Sequence, residues 1–114
     1  MKQWEIYLVR FPFTDLTSTK LRPALLISNS NFNSLDNFMF IGIFGNKWNP
    51  HYALELSNES LKEWRLTKIS HLRYQNIFTL HSSIIVQKVG AVTEEFLENS
   101  ISKLNSFTQI QNNT

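Results

Sequence analysis

His71 and Arg73 are the residues whose types and spacing most directly suggest chemistry. They lie in Leu66–Tyr74, where apolar and polar residues alternate as they do in a β-strand. Residues two apart on a strand project to the same face, so the imidazole and the guanidinium would be neighbours. An arginine can hold a phosphate through two hydrogen bonds, and an imidazole can accept a proton near neutral pH. The pair fits a phosphate clamp with a base, although an ordinary exposed His–Arg pair has the same spacing.

The sequence lacks the residues of several other kinds of site. It has no cysteine, which excludes disulfides, thiol catalysis and cysteine metal sites, and its three glycines are too scattered for a phosphate-binding loop. The histidines at 51, 71 and 81 are much further apart than the closely spaced ligands of a metal site. We therefore expect neither a metal site nor a cofactor.

Charge is unevenly distributed along the chain. The 114 residues carry a net charge of +2, but residues 1–90 contain ten Lys and Arg against six Asp and Glu. A basic body with 13% aromatic residues fits nucleic-acid binding, although many proteins that bind no nucleic acid share it. The longest apolar run, Phe38–Phe44, is far shorter than a membrane-spanning helix, and the N-terminus has no apolar signal core. We expect a cytoplasmic protein with no membrane partner.

Short strands followed by one helix are predicted along the chain. Alternating or continuous apolar residues, bounded by turn-forming residues, indicate five or six strands, over Trp4–Phe11, Pro23–Ser28, Phe38–Phe44, Ala53–Leu56, Leu66–Tyr74 and Ser83–Val89. Gly42 indicates a bend or bulge, and Ser57 is a candidate cap for a helical turn over Asn58–Trp64. A capping Thr93 and apolar residues at three-four spacing predict a helix over 93–105. The expected fold is a single domain over residues 1–114, mainly β with α: a small antiparallel β-barrel with a C-terminal helix.

Three segments carry a more specific pattern. Phe11-Pro12-Phe13-Thr14-Asp15 ends the first strand, Arg22-Pro23-Ala24 opens the second, and Ser70-His71-Leu72-Arg73 follows downstream. In this order the segments resemble the PemK/MazF family of toxins from bacterial type II toxin–antitoxin pairs. The similarity spans about residues 4–105.

The resemblance implies a fold, an activity and two protein partners. The fold is an SH3-like barrel that forms a homodimer. The activity is an endoribonuclease that cuts single-stranded RNA without a metal, and a cognate antitoxin neutralises it by covering the RNA groove with its tail. A candidate dimer surface is the apolar patch formed by Phe96, Ile101 and Phe107.

Such a cut has definite chemical requirements. The ribose 2′-hydroxyl attacks the adjacent phosphate, so no external nucleophile is needed. A base takes the proton of that hydroxyl, and an acid protonates the leaving 5′ oxygen. A fixed cation stabilises the charge that builds on the phosphate, and arginine suits this role because it is always charged.

The resemblance assigns a role to each residue that stands at a matching position of the family pattern. Arg22 matches the family arginine that would stabilise the phosphate, and Arg73 matches one that would donate a proton or bind the phosphate. His71 would be a substitute base, since this position of the family is usually not a catalytic histidine, and Gln75 stands where some members have an aspartate base. The expected RNA contacts are Thr14, Lys20, Asn46, Lys47, Trp48 and Lys68.

Two departures from the family pattern leave the activity open. Gly45 or Asn46 stands where many members have a threonine or serine, and Gln75 cannot accept a proton at neutral pH. The alternative is therefore a weakened or inactive family member. Such a protein would bind RNA, an antitoxin or a protein target such as gyrase without cutting RNA.

Overall fold

The computed structural model describes residues 1–12 and 19–112, so the predicted RNA contact Thr14 lies outside the described residues. Within them, strands dominate, and two α-helices and three short 3-10 turns connect or follow the strands. The strands are β1 (Glu5–Pro12), β2 (Thr19–Leu26), β3 (Asn37–Phe44), β4 (Ala53–Leu56), β5 (Leu61–Glu63), β6 (Ser70–His81) and β7 (Ile85–Val92). The helices are α1 (Ser30–Asn33) and α2 (Glu94–Phe107).

The strands form one curled sheet in the order β4-β6-β3-β2-β1-β7-β5. Every neighbouring pair in this order is antiparallel. The predicted architecture, mainly β in the form of a small barrel-like sheet with a C-terminal helix, is confirmed.

Both faces of the sheet carry apolar side chains. Neighbouring residues on one strand project to opposite faces, and accordingly Ile41 joins a cluster with Phe96 of α2 whereas Phe40 joins a second cluster. We call the face covered by α2 the helix face and the other the aromatic face. The cluster of the aromatic face consists of Tyr7, Val9, Phe11, Ala24, Leu26, Phe38, Phe40 and Leu80.

Helix α2 begins and packs as its sequence predicts. Thr93 caps it by accepting a hydrogen bond from the Phe96 N–H at 3.1 Å, and acidic residues occupy the first turn, where the helix dipole favours them. The Tyr74 hydroxyl donates to the Ser100 carbonyl at 2.8 Å and ties the helix to β6. Because Phe96 is buried in the core, it is not part of an exposed patch, and the predicted patch with Ile101 and Phe107 is wrong in this respect.

Gly42 marks an irregularity in the pairing of β3 with β6, as the sequence predicts. Ile41 pairs with Ile77, but Gly42 pairs with Arg73, so three residues of β6 bulge between these two pairs. A Cβ atom at Gly42 would lie 2.7 Å from Cε2 of Phe44. The missing side chain therefore makes room for the Phe44 ring, which lies at the candidate site.

The structure differs from the predicted elements in several places, and β7 begins and ends later than the predicted Ser83–Val89. Strand β2 begins at Thr19 rather than Pro23. Pro23, which has no backbone N–H, is tolerated because the pairing of β2 with β3 starts only at Ala24. Strand β6 begins and ends later than predicted. The turn capped by Ser57 is a 3-10 turn over Asn58–Ser60, and β5 follows it. In the described ranges, no helix has the length and apolar character needed to cross a membrane.

Candidate nucleic-acid interface

Arg22 and Arg73 come together on the ring of Phe44. The guanidinium carbon of Arg73 lies 4.2 Å from the ring centroid, and that of Arg22 lies 5.5 Å from it. Gly42 pairs with both Ala24 and Arg73, so the strand alternation projects Arg22, Phe44 and Arg73 to the aromatic face. A cation over an aromatic face is attracted by the ring quadrupole. The ring therefore holds two positive charges close to each other.

The loop after β3 is fastened to the same site. The Nε of Arg73 donates to the Asn46 carbonyl at 2.8 Å, and the Asn46 side-chain oxygen accepts from the Trp48 N–H at 2.7 Å. Trp48 has a φ of 61° and is 69% exposed. The predicted contacts Asn46 and Trp48 are thus beside the arginines, with the indole presented to solvent.

A groove of about 440 Å³ opens next to Arg22. Its lining includes Phe44 and Gly45 at the end of β3, and Arg65 and Lys68 from the loop before β6. No acidic side chain lines the groove within the described part of the chain. The ion pairs among the described residues join His81 to Asp36 and Lys88 to two glutamates, and none of these residues lines the groove. The groove therefore suits an anionic ligand such as a phosphate.

His71 lies on the same face as the arginine pair. It is the register partner of Phe44 on one side and of Glu55 on the other, and directly opposed residues share a face. The imidazole is half-buried, and its Nδ1 is buried without a hydrogen-bond partner among the described residues. The predicted proximity of His71 to Arg73 agrees with this placement.

The remaining predicted site residues are spread more widely. Lys20 is exposed on β2, two residues before Arg22, and Lys47 is exposed in the loop beside Trp48. Gln75 is exposed in the bulge of β6 and lines a separate hollow with Tyr52 and Phe107 rather than the groove beside Arg22. The hollow that Gln75 lines and the groove beside Arg22 therefore share no lining residue.

Two residues of the site were missed by the sequence reasoning. Phe44 ends an apolar strand and was indistinguishable from a core residue, because its place between the arginines depends on strand register. Arg65 stands in a loop, where a single arginine carries no pattern. The positive charge of the loop 64–69, which also holds Lys68, was the one signal available.

Comparisons with known proteins agree on the family and the fold. Residues 2–108 match the family described as PemK-like, MazF-like toxin of type II toxin-antitoxin system. The Mycobacterium tuberculosis toxin MazF-mt6 is similar in structure with a TM-score of 0.71 and 15% identity, covering 94% of this chain and 99% of that one. An endoribonuclease in complex with its cognate antitoxin, from a mycobacterial species, has a TM-score of 0.74 and 12% identity, covering 98% and 99%. No curated protein matches the sequence.

Proposed function

Because the chain belongs to the PemK-like, MazF-like toxins of type II toxin–antitoxin systems, we propose that it is an endoribonuclease that cuts single-stranded RNA. The ribose 2′-hydroxyl attacks the adjacent phosphate. The observation that carries the proposal is the pair of arginines held on the Phe44 ring beside a groove without a described acidic residue. Both arginines stand where the family resemblance expects them.

Arg22 and Arg73 bind the scissile phosphate and stabilise its transition state. Two guanidinium groups offer several N–H donors to the phosphate oxygens, and their charge is permanent. The ring of Phe44 and the bond from Arg73 to the Asn46 carbonyl fix their positions before RNA arrives. Such preorganised charge acts where negative charge develops, so no step of this reaction requires a metal.

His71 takes the proton of the attacking 2′-hydroxyl. It shares a face with Arg73 and replaces the carboxylate that some family members carry at the position of Gln75. A histidine accepts protons near neutral pH, whereas a glutamine does not. The His71 side chain is only half-buried, so part of it can be reached from solvent.

The loop after β3 and the nearby lysines hold the rest of the RNA strand. The exposed indole of Trp48 stacks on a base, a mode of binding that tolerates many sequences. Lys20, two residues before Arg22, and Lys47, next to Trp48, contact backbone phosphates, and Thr14, which lies outside the described residues, is proposed as a further contact. Single-stranded RNA suits this surface because its bases are free to leave the stack.

We also propose two protein partners, an antitoxin and a second copy of this chain. A similar solved structure is described as an endoribonuclease with its cognate antitoxin, and we extend an antitoxin partner to this chain. An antitoxin segment with carboxylates would pair with Arg22, Arg65 and Lys68 and exclude RNA from the groove. We also propose that the protein is a homodimer and acts in the cytoplasm, where its RNA substrate is found.

A cleavage assay tests the proposal. Purified protein is incubated with a long single-stranded RNA in the presence of a chelator, beside the variants Arg22→Ala, Arg73→Ala and Lys103→Ala. Each arginine variant should lose about 100- to 1,000-fold in rate, because one preorganised donor of the transition state is removed. Lys103→Ala removes the same charge from α2, outside the groove, and should cut like the wild type. RNA that is bound but left intact by the wild type would instead identify a binding module.

A further inference from the structure

The end of β3 carries an unusual contact between a glycine and a lysine. A Cβ atom at Gly45 would lie 3.3 Å from both Cε and Nζ of Lys68. The lysine ammonium therefore rests against the backbone of Gly45, in space that a larger residue would occupy. Gly45 is one of the two positions at which the family pattern expects a hydroxyl, so a cation takes up space next to that position.

Three positive charges consequently surround residues 44–46. Arg22 and Arg73 lie on the ring of Phe44, and Lys68 lies against the next residue. Lys68 and Arg22 line the same groove. Among the described residues, the Lys68 ammonium makes neither an ion pair nor a hydrogen bond. No other described residue occupies its three N–H donors, so they can bind a ligand in the groove.

The three cations differ in what they can do to a leaving group. The resemblance leaves Arg73 either as a proton donor or as a phosphate ligand, and its chemistry favours the second role. An arginine in a protein does not release its proton, so Arg22 and Arg73 can bind the phosphate but cannot protonate an oxygen that leaves it. A lysine ammonium can act as a general acid. Within this cation cluster, the proton required by the leaving 5′ oxygen can therefore come only from Lys68.

We propose that Lys68 is the general acid of RNA cleavage, an inference that rests on the proposed function. The 2′ oxygen forms a bond to phosphorus while the bond from phosphorus to the 5′ oxygen breaks. The proton of the 2′-hydroxyl passes to His71, and a proton of the Lys68 ammonium passes to the leaving oxygen. The products are a 2′,3′-cyclic phosphate and a 5′-hydroxyl, and proton exchange with water restores both side chains.

A sulfur substitution separates proton donation from phosphate binding. The cut site is first mapped on a long RNA, and a short RNA with this site is then made with sulfur in place of the leaving 5′ oxygen. A thiolate leaves without a proton because thiols are much stronger acids than alcohols. Removal of the general acid should therefore slow cleavage of the oxygen substrate and leave the sulfur substrate nearly unaffected.

The expected results distinguish Lys68 from the arginines. Lys68→Ala and Lys68→Arg should both lose about 100- to 10,000-fold in kcat on oxygen RNA and stay within a few-fold of the wild type on sulfur RNA. Lys68→Arg keeps the charge, so its RNA affinity should not change. Arg73→Ala should lose activity on both substrates, and Lys103→Ala on neither.

Two outcomes would overturn the inference while the proposed nuclease stands. One is Lys68→Ala or Lys68→Arg cutting oxygen RNA at the rate of the wild type; the other is an equal loss on both substrates, as expected of a phosphate-binding cation. If the wild type cuts neither substrate, the proposed function fails, and the role of Lys68 fails with it. Lys68 is exposed, so circular dichroism should show folded variants in every case.

Discussion

Replacing Phe44 by leucine removes the ring that two guanidinium groups share. The Arg73 and Arg22 carbons lie 4.2 Å and 5.5 Å from its centroid, and the ring of Phe11 meets it edge-on with centroids 5.8 Å apart. A leucine fills much of the same space but has no quadrupole to attract a cation. The arginines should lose their fixed positions while the sheet stays folded.

The size of the effect follows from the two cation–ring contacts. Each is worth about 0.5–1 kcal/mol at a partly exposed site, so the two together contribute about 1–2 kcal/mol. If this energy holds the arginines ready for the transition state, its loss lowers kcat/KM about 5- to 30-fold, since 1.4 kcal/mol is tenfold. The free energy of unfolding should fall by the same cation–ring energy, plus less than about 1.5 kcal/mol for an apolar exchange of similar volume.

Phe78→Leu is the matched control. Phe78 packs against the same apolar cluster and also meets Phe11 edge-on, with centroids 4.4 Å apart, but no arginine lies over its ring among the described residues. Initial rates on a fluorogenic single-stranded RNA and urea unfolding should be measured for both variants. We expect a smaller loss of stability in Phe78→Leu, which gives up no cation–ring contact, and a loss of activity only in Phe44→Leu. Equal activity losses in the two variants, or an unchanged rate in Phe44→Leu, would refute the positioning role of the ring.

Three further outcomes are expected. Gly90→Ala should destabilise the fold by about 1–3 kcal/mol in urea unfolding, because the new Cβ would lie 2.6 Å from Cβ of Trp64. Partial burial alone would raise the pKa of Glu5, but hydrogen bonds from Tyr7, Lys88 and a backbone N–H lower it from 4.5 to about 2. Stability should therefore fall as pH drops through that interval, and Glu5→Gln should flatten this part of the profile. RNA affinity should weaken with salt, and Lys47→Ala should reduce the slope by about 0.7 on a log–log plot; an unchanged slope would remove Lys47 from the interface.

The helix and the bulge were predictable because their causes are local. Thr93 accepts from the Phe96 N–H three residues later, and this contact needs no knowledge of the rest of the fold. Gly42 likewise indicates an irregularity in β3 through its missing side chain, although the unpaired residues themselves lie in β6. Such features depend on neighbours in sequence.

The arrangement of the site was not predictable in the same way. Residues 22, 44 and 73 are distant in sequence, and only the register of β2, β3 and β6 brings them together. The bulge in β6 also explains why the sequence interpretation ended this strand too early. It absorbs polar Gln75 and Asn76 without ending the strand, and it leaves Gln75 away from the groove beside Arg22.

The end groups of the RNA products test the central claim most directly. Single-stranded RNA is digested with the wild-type protein in a chelator, and the fragments are analysed by mass spectrometry. Attack by the 2′-hydroxyl, with Arg22 and Arg73 on the phosphate, should give 2′,3′-cyclic phosphate and 5′-hydroxyl ends. Intact RNA, or fragments with 3′-hydroxyl and 5′-phosphate ends, would contradict the account.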